Sequence, residues 1–487
     1  MSEIIGRCIG KQKINTAYFI SSKKPKIGQY VILEYDSNKI LGIIEDLTKY
    51  NPYLEEENLK EEEIDSIKEL EGESHIVKGK IRILGDVENL KLPREPPEPG
   101  TIVKLADKET LEKVFGKSEK SISIGRLLTN EEVEVYLDVN KIVSRHLAIL
   151  SITGAGKSNT VSVIAEEISK LGGTILIFDM HSEYVDANFS HKKILPTKLN
   201  PIFLRPNQAA KIMNIDEEKA FIQYIFFRKA WENVRSRIIS SPNLSLSTEE
   251  FFKSLIDFLE KEARKDSKNE ESIRRVILKI EDFKERFGEI FDLKYEDVVK
   301  LIERGKVNIL DLGSVDDDVA DIFVSHYLER ILEERKKFKT TGKGLEFPIL
   351  LVIEEAHILI PNDMNTFTKY WCARIAREGR KFGVGLCLVS QRPKALDANV
   401  LSQVNNMIIL KLVEPNDQKY VQFASEMLTD EMLSQLSSLN VGEAIVFGSM
   451  IRIPAMVKIH EFKGKSKGKD IDFIEESKNK EEILDFL

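Results

Sequence analysis

The chain has 487 residues, 42% of them hydrophobic and 31% charged, a composition that describes a soluble globular protein with about three domains' worth of packed core. Its formal net charge of −8 excludes a protein that coats nucleic acid with its whole surface, though not one with a local basic channel. No apolar run approaches the roughly 20 residues of a membrane span, and the start, with Glu3 and Arg7, lacks a signal-peptide pattern, so the sequence reads as intracellular and cytoplasmic.

Short apolar or alternating segments come first: Ile4 to Ile9, Thr16 to Ile20, Tyr30 to Tyr35 and Ile40 to Ile44, punctuated by glycines. After an acidic stretch, Glu55 to Glu71, which reads as a solvated surface helix, strands are expected at His75 to Leu84, Thr101 to Leu105 and Val133 to Val139. Together they predict a small β-barrel over residues 1–140. From Lys141 the pattern alternates strand and helix, which means a parallel sheet covered on both faces. Residues 141–205 and 305–460 are read as the two parts of this α/β core. Residues 206–304 interrupt it with helical spacing at Ala220 to Ile239, Thr248 to Arg264 and Ser272 to Phe287, an insertion whose second helix starts at a capping box of Ser247 and Glu250. Residues 461–487 form a mixed, charged tail. The cysteines, Cys8, Cys372 and Cys387, lie in apolar surroundings without metal-ligand spacing and read as core residues.

Two segments carry chemistry. Ser151-Ile-Thr-Gly-Ala-Gly-Lys-Ser158 follows the apolar run Leu147 to Leu150 and opens a helix, the context of a P-loop. Small residues there turn backbone N–H groups onto a phosphate, the helix adds its positive end, Lys157 reaches the β- and γ-phosphates, and Ser158 offers its hydroxyl to Mg²⁺. The first glycine of the usual pattern is Ser151, a departure that leaves the Gly154 to Ser158 part intact. The second segment, Pro348-Ile-Leu-Leu-Val-Ile-Glu-Glu-Ala-His357, is a buried strand ending in twin carboxylates. It has the form of a Walker B strand, with Glu354 at the Mg²⁺ shell and Glu355 polarising the attacking water.

Other positions are candidates of lower specificity. Asp179-Met-His-Ser-Glu-Tyr184 follows a strand and is either part of the site or a surface loop. Gln391, after the strand Gly383 to Val389, is placed beside the γ-phosphate as a sensor. Arg374, Arg377 and Arg380 recur at steps of three on one helix, either as a face offering an arginine finger to a neighbour or as ion-paired surface residues. Arg235, Arg237, Arg274 and Arg275 in the insertion read either as solvated helix faces with i,i+4 pairs or as groups that meet phosphates.

In combination these segments resemble the HerA family, the archaeal branch of the HerA/FtsK superfamily of hexameric DNA-pumping ATPases. The resemblance is carried by Arg145-His-Leu-Ala-Ile-Leu150, Thr153-Gly-Ala-Gly-Lys-Ser-Asn159, Ile177-Phe-Asp-Met-His-Ser-Glu-Tyr184, Val352-Ile-Glu-Glu-Ala-His357, Arg374-Ile-Ala-Arg-Glu-Gly-Arg-Lys-Phe-Gly383 and Ser390-Gln-Arg-Pro393. It implies an N-terminal β-barrel on a RecA-like P-loop core, a helical insertion, and a C-terminal arm that packs on the next subunit. Thr153, Gly154, Ala155, Gly156, Lys157, Ser158 and Asn159 would bind ATP, with Ser158 and Glu354 on Mg²⁺. Glu355 would prepare the water, Gln391 would report the γ-phosphate, and Arg380, with Arg145 as a second candidate, would act across the subunit boundary. The implied partners are further copies in a homohexamer, double-stranded DNA, a NurA-type nuclease and the double-strand-break sensing nuclease complex, with no membrane, at the nucleoid. Two other readings stay open: another DNA pump of the superfamily, serving conjugation or segregation, and an ATP-gated scaffold that seldom hydrolyses.

Overall fold

The computed structural model describes residues 3–35, 38–50, 76–240, 247–425 and 427–464. The expected acidic surface helix, Glu55 to Glu71, and nearly all of the tail lie outside these residues.

The first six strands, β1 (Ile4–Cys8), β2 (Thr16–Ser21), β3 (Tyr30–Tyr35), β4 (Asn38–Tyr50), β5 (Ile76–Asp86) and β6 (Ile102–Leu105), close into a barrel in the order β1-β2-β5-β4-β3-β6. Its interior is filled by alternate residues, among them Phe19, Val31, Leu33, Ile44, Ile81 and Val103. Gly79 is required there, because a Cβ would lie 2.1 Å from the Phe19 ring.

The barrel ends sooner than the sequence suggests. Strand β8 (Asn130–Asp138), which contains the expected segment from Val133, leaves the barrel and pairs with β7 (Ser121–Leu127), a strand the sequence reading did not identify. Both extend the large sheet, through Val457↔Leu127. Alternation of apolar residues is the same in a barrel strand and a sheet-edge strand, so local pattern does not separate them.

The large sheet also contains β9 (Leu147–Leu150), β10 (Thr174–Asp179), β11 (Lys192–Leu195), β12 (Val307–Asp311), β13 (Ile349–Ile353), β14 (Val384–Ser390), β15 (Asn406–Ile409), β16 (Glu443–Phe447) and β17 (Ala455–Ile459). The order is β11-β12-β10-β13-β14-β9-β15-β16-β17-β7-β8. From β11 to β15 every pair is parallel, and from β15 to β8 every pair is antiparallel. Successive residues of the parallel strands enter opposite cores: Leu147 and Ile149 face one, Ala148 and Leu150 the other. This two-sided burial is why these strands read as unbroken apolar runs.

Helices α1 (Val139–Arg145) and α2 (Lys157–Lys170) flank β9. The insertion holds α3 (Phe221–Ser240), α4 (Thr248–Lys265) and α5 (Glu270–Phe287). The capping box forms as expected: Glu250 N–H donates to Ser247 Oγ at 3.2 Å, and Ser247 N–H to the Glu250 carboxylate at 2.7 Å. The helices pack through aromatic rings, with Trp231 against Phe227, Phe251 and Phe291. Arg274 and Arg275 pair with Glu270 and Glu271 one turn back, so they serve the helix surface. After the insertion come α6 (Asp317–Thr341) and α7 (Phe367–Phe382), the latter capped by Thr366. The three cysteines are free and buried.

Candidate functional site

Four strand ends lie side by side. In the order β10, β13, β14, β9 the carboxyl ends deliver Asp179, the Glu354–Glu355 pair, Gln391 and the P-loop. At strand spacings of 4.7–4.9 Å, the twin acids stand roughly 10 Å from the P-loop strand, with Gln391 between them.

The loop conformation explains the glycine pattern. Gly154 and Gly156 have φ of +75° and +109°, in the left-handed region that only glycine enters without strain, and a Cβ on Gly154 would meet nothing within 4 Å. Ser151, in place of the first glycine, is absent from the positive-φ residues. It is fully buried, donates its N–H to Ser390 O at 3.2 Å and its hydroxyl to Ile152 O at 2.8 Å. The position tolerates a side chain because its backbone does not need the left-handed region. Lys157 begins α2, with Gly156 as its N-cap, so the helix presents its free N–H groups to the same space.

The expected residues meet as follows. Thr153 Oγ1 donates to Gln391 Oε1, tying the P-loop to the end of β14. Glu355 sits at φ +42°, a rare and strained conformation for a glutamate, and is 5% exposed. Its Oε2 lies 3.2 Å from His357 Nδ1. Burial works to raise the Glu355 carboxyl, but the His357 contact and the charges of Lys157, His357 and His181 outweigh it and hold the group below its ordinary range. Burial pushes Glu354 the other way, up to about 7, the Tyr184 hydroxyl opposing the rise and Glu183 and Glu355 adding to it. Adjacent acids are thus driven apart, and the ionised one, Glu355, has the character of a base at neutral pH.

Asn159 departs from its expected place. Its side chain donates to His460 O at 2.7 Å and accepts from Phe462 N–H at 2.8 Å, so the amide holds the C-terminal segment against α2 rather than facing the loop. A contact across three hundred residues leaves no local trace in sequence.

Arg145 and Arg380 lie at the far edge. Arg145 ends α1, just before β9 begins, and Arg380 lies in the last turn of α7, just before β14 begins. Strand β14 has 7 residues, so it separates Arg380 from Gln391 by about 20 Å. Of the three arginines on α7, Arg374 is engaged by Glu378 at 2.7 Å. Arg377 and Arg380 are exposed and make no ion pair or hydrogen bond among the described residues.

Sequence reasoning missed the roles of Glu183, Tyr184 and His357. The first two belong to the Asp179–Tyr184 segment, which proves to be part of the site: Ser158 Oγ donates to Glu183, and the Tyr184 hydroxyl donates to Glu354. Buried Asp179 gathers the N–H groups of His181, Glu183 and Tyr184 at 3.4, 3.0 and 2.8 Å, and Ser182 takes φ +57°. A cleft of about 760 Å³ opens beyond Glu355, lined among others by His181, Lys211, Asp321, His357 and Gln391.

The donor set suits Mg²⁺, a hard cation that prefers oxygen: a serine hydroxyl and carboxylates converge beside an open backbone cradle. Among the described residues, no three His, Cys, Asp or Glu side chains are grouped so as to hold a metal unaided. That fits an ion that completes its shell with phosphate and water.

Comparison with known proteins gives three family matches, the last two overlapping: "HAS barrel domain" over residues 5–89, "Helicase HerA, central domain" over 122–331 and "Helicase HerA-like C-terminal" over 248–463. The DNA double-strand break repair helicase HerA of Saccharolobus solfataricus is 42% identical, the match covering 98% of this chain and 96% of that protein. Its namesake in Sulfolobus acidocaldarius is 44% identical, covering 98% and 97%. Among solved structures, the plasmid coupling protein TrwB in complex with ADP and Mg²⁺ superposes with a TM-score of 0.52 at 16% identity, over 74% of this chain and 94% of that one. That likeness shows a shared fold. No helix among the described residues is long and apolar enough to cross a membrane.

Proposed function

The chain belongs to the HerA family of helicases, with the P-loop NTPase fold, and from that premise we propose that it is an ATP-driven motor that assembles as a homohexameric ring and moves along double-stranded DNA. Its work would be the resection of DNA ends at double-strand breaks, together with a NurA-type nuclease and the break-sensing nuclease complex, in the cytoplasm at the nucleoid.

One observation carries the reading most: the nucleotide groups and the two candidate arginines lie on opposite edges of one sheet. A single copy cannot fold Arg380 back onto its own P-loop. A neighbour packed edge to edge can supply it, and hydrolysis then depends on assembly. The loop from Thr153 to Ser158 would cradle the phosphates, and Lys157 would neutralise their charge. Bound Mg²⁺ would screen the β- and γ-phosphate oxygens. Glu355, ionised and braced by His357, would accept a proton from the attacking water, and Gln391 would pass the presence of the γ-phosphate to Thr153. Contacts to the DNA backbone suit such a motor because phosphates carry no sequence information.

The test is ATP turnover with and without linear duplex DNA. Wild type should be stimulated by DNA, and Lys157→Ala and Glu355→Gln should both abolish turnover, Glu355→Gln still binding ATP. Unchanged turnover in either variant removes that residue from the mechanism. Slow turnover that ignores DNA, even with a co-purifying nuclease present, would favour the ATP-gated scaffold.

A further inference from the structure

The position of an acid at a strand tip puts Glu354 on the metal, but the side chains are arranged otherwise. Glu354 is 6% exposed, and its Oε1 is occupied by the Tyr184 hydroxyl, itself fully buried. Glu183, which precedes Tyr184 in the chain, is exposed and accepts a hydrogen bond from the Ser158 hydroxyl. The two neighbours therefore face different partners, one the P-loop hydroxyl and the other the buried acid.

This arrangement has a chemical reason. A serine that binds a cation does so through an oxygen lone pair, and its O–H must then find an acceptor elsewhere. A carboxylate that receives that hydrogen fixes the direction of the lone pair and adds negative charge beside the ion. Glu183 is such an acceptor, and it is not free to drift. Its own N–H is held by Asp179 at 3.0 Å, and Ser182 beside it is anchored to Asp311 Oδ1 at 2.8 Å. Asp311 also receives Gly313 N–H at 3.1 Å, so the loop is braced from the neighbouring strand β12.

We propose that Glu183, rather than Glu354, is the carboxylate that positions the Ser158 hydroxyl toward the nucleotide's Mg²⁺, Glu354 being kept from the ion by Tyr184. Glu183 is a positioning residue, acting through Ser158. The inference rests on the nucleotide-site reading above, but its test needs neither DNA, nor a ring, nor turnover.

The experiment measures binding of a fluorescent ADP to the full chain in EDTA and across a Mg²⁺ titration. In Glu183→Gln, the Mg²⁺ concentration that gives half of the affinity gain should rise about 10- to 100-fold, the usual cost of losing a group that orients a metal ligand. Affinity in EDTA should stay within about twofold of wild type, which also verifies the fold. Glu354→Gln should leave the Mg²⁺ midpoint within about threefold. Because Glu183 acts through Ser158, the double variant with Ser158→Ala should be no worse than Ser158→Ala alone. An unmoved midpoint in Glu183→Gln, a larger shift in Glu354→Gln, or additive losses in the double variant would each overturn the assignment. Loss of DNA-stimulated turnover with the midpoint shift intact would sink the motor and spare this inference. The reverse pattern would do the opposite.

Discussion

At the carboxyl ends of β9, β14, β13 and β10, polar groups are tied to one another: Thr153 to Gln391, Ser158 to Glu183, Tyr184 to Glu354, and three N–H groups to Asp179. At the amino ends of β9 and β14, Arg145 is half-buried and Arg380 exposed, with neither side chain answered by an acid among the described residues. The first edge ties most of its polar groups to one another, though one oxygen of buried Glu355 makes no hydrogen bond among the described residues. The second presents positive charge without such internal ties. Strain and buried carboxylates sit at the first edge, where they cost stability and serve chemistry.

The largest effect is expected at the arginine edge. Arg380→Ala should lower DNA-stimulated turnover by about 10³- to 10⁵-fold while ATP still binds. Mixed with Lys157→Ala subunits it should regain part of that turnover, because each variant carries the half that the other lacks. Failure of co-assembled variants to complement would show that the edges do not meet in one site.

Asp179 tests the preorganised edge. Asp179→Ala would orphan three loop N–H groups and should cost about 3 to 4 kcal/mol in denaturant melts, with Asp179→Asn losing less. A melt within about 0.5 kcal/mol of wild type would mean that the loop holds its shape without that carboxylate.

Next to Arg145 at the arginine edge, His146 links α1 to its neighbours: Leu386 N–H donates to Nδ1 and Nε2–H donates to Ala376 O, each at 3.1 Å. Burial pushes its pKa from 6.5 down to about 4. Buried His326 is likewise lowered to about 4. The folded chain therefore binds fewer protons than the unfolded one between these values. Stability from this source is full above pH 6.5 and is lost as pH falls toward 4, by at most about 3 kcal/mol per histidine. Denaturant melts across that range should show the slope, and His146→Gln should flatten part of it.

The smallest effect belongs to Arg374. It shares α7 with Arg380 but is paired with Glu378, and Arg374→Ala should cost less than about 1 kcal/mol in stability and leave turnover near wild type. A loss as deep as that of Arg380→Ala would show that position on the helix does not distinguish the two.

Much of this was legible in the residues. The P-loop, the twin acids and the capping box of α4 are local signals, with the chemistry and the spacing in one short segment. Strand β7 was not legible, because its place is set by pairing with β17 more than three hundred residues away. Glu183 and Tyr184 were visible as polar residues after a strand, but their roles depend on Asp179 folding the loop back and on Ser182 taking a left-handed turn. Asn159 directly follows the P-loop motif in sequence, yet its amide is committed to the chain's C-terminal segment.

The barrel shares more with the α/β core than a connecting loop. Tyr30, Ile32, Leu41 and Ile43 on its outer surface belong to the same buried cluster as Ile149 of β9 and Val161 of α2, and the Tyr30 hydroxyl donates to Pro454 O at 2.7 Å. The seam combines this shared apolar cluster with polar ties, the ion pair of Lys80 with Glu431 among them, so the barrel is packed onto the core rather than hung from it. Any displacement of the core would accordingly be passed to the barrel through this packing.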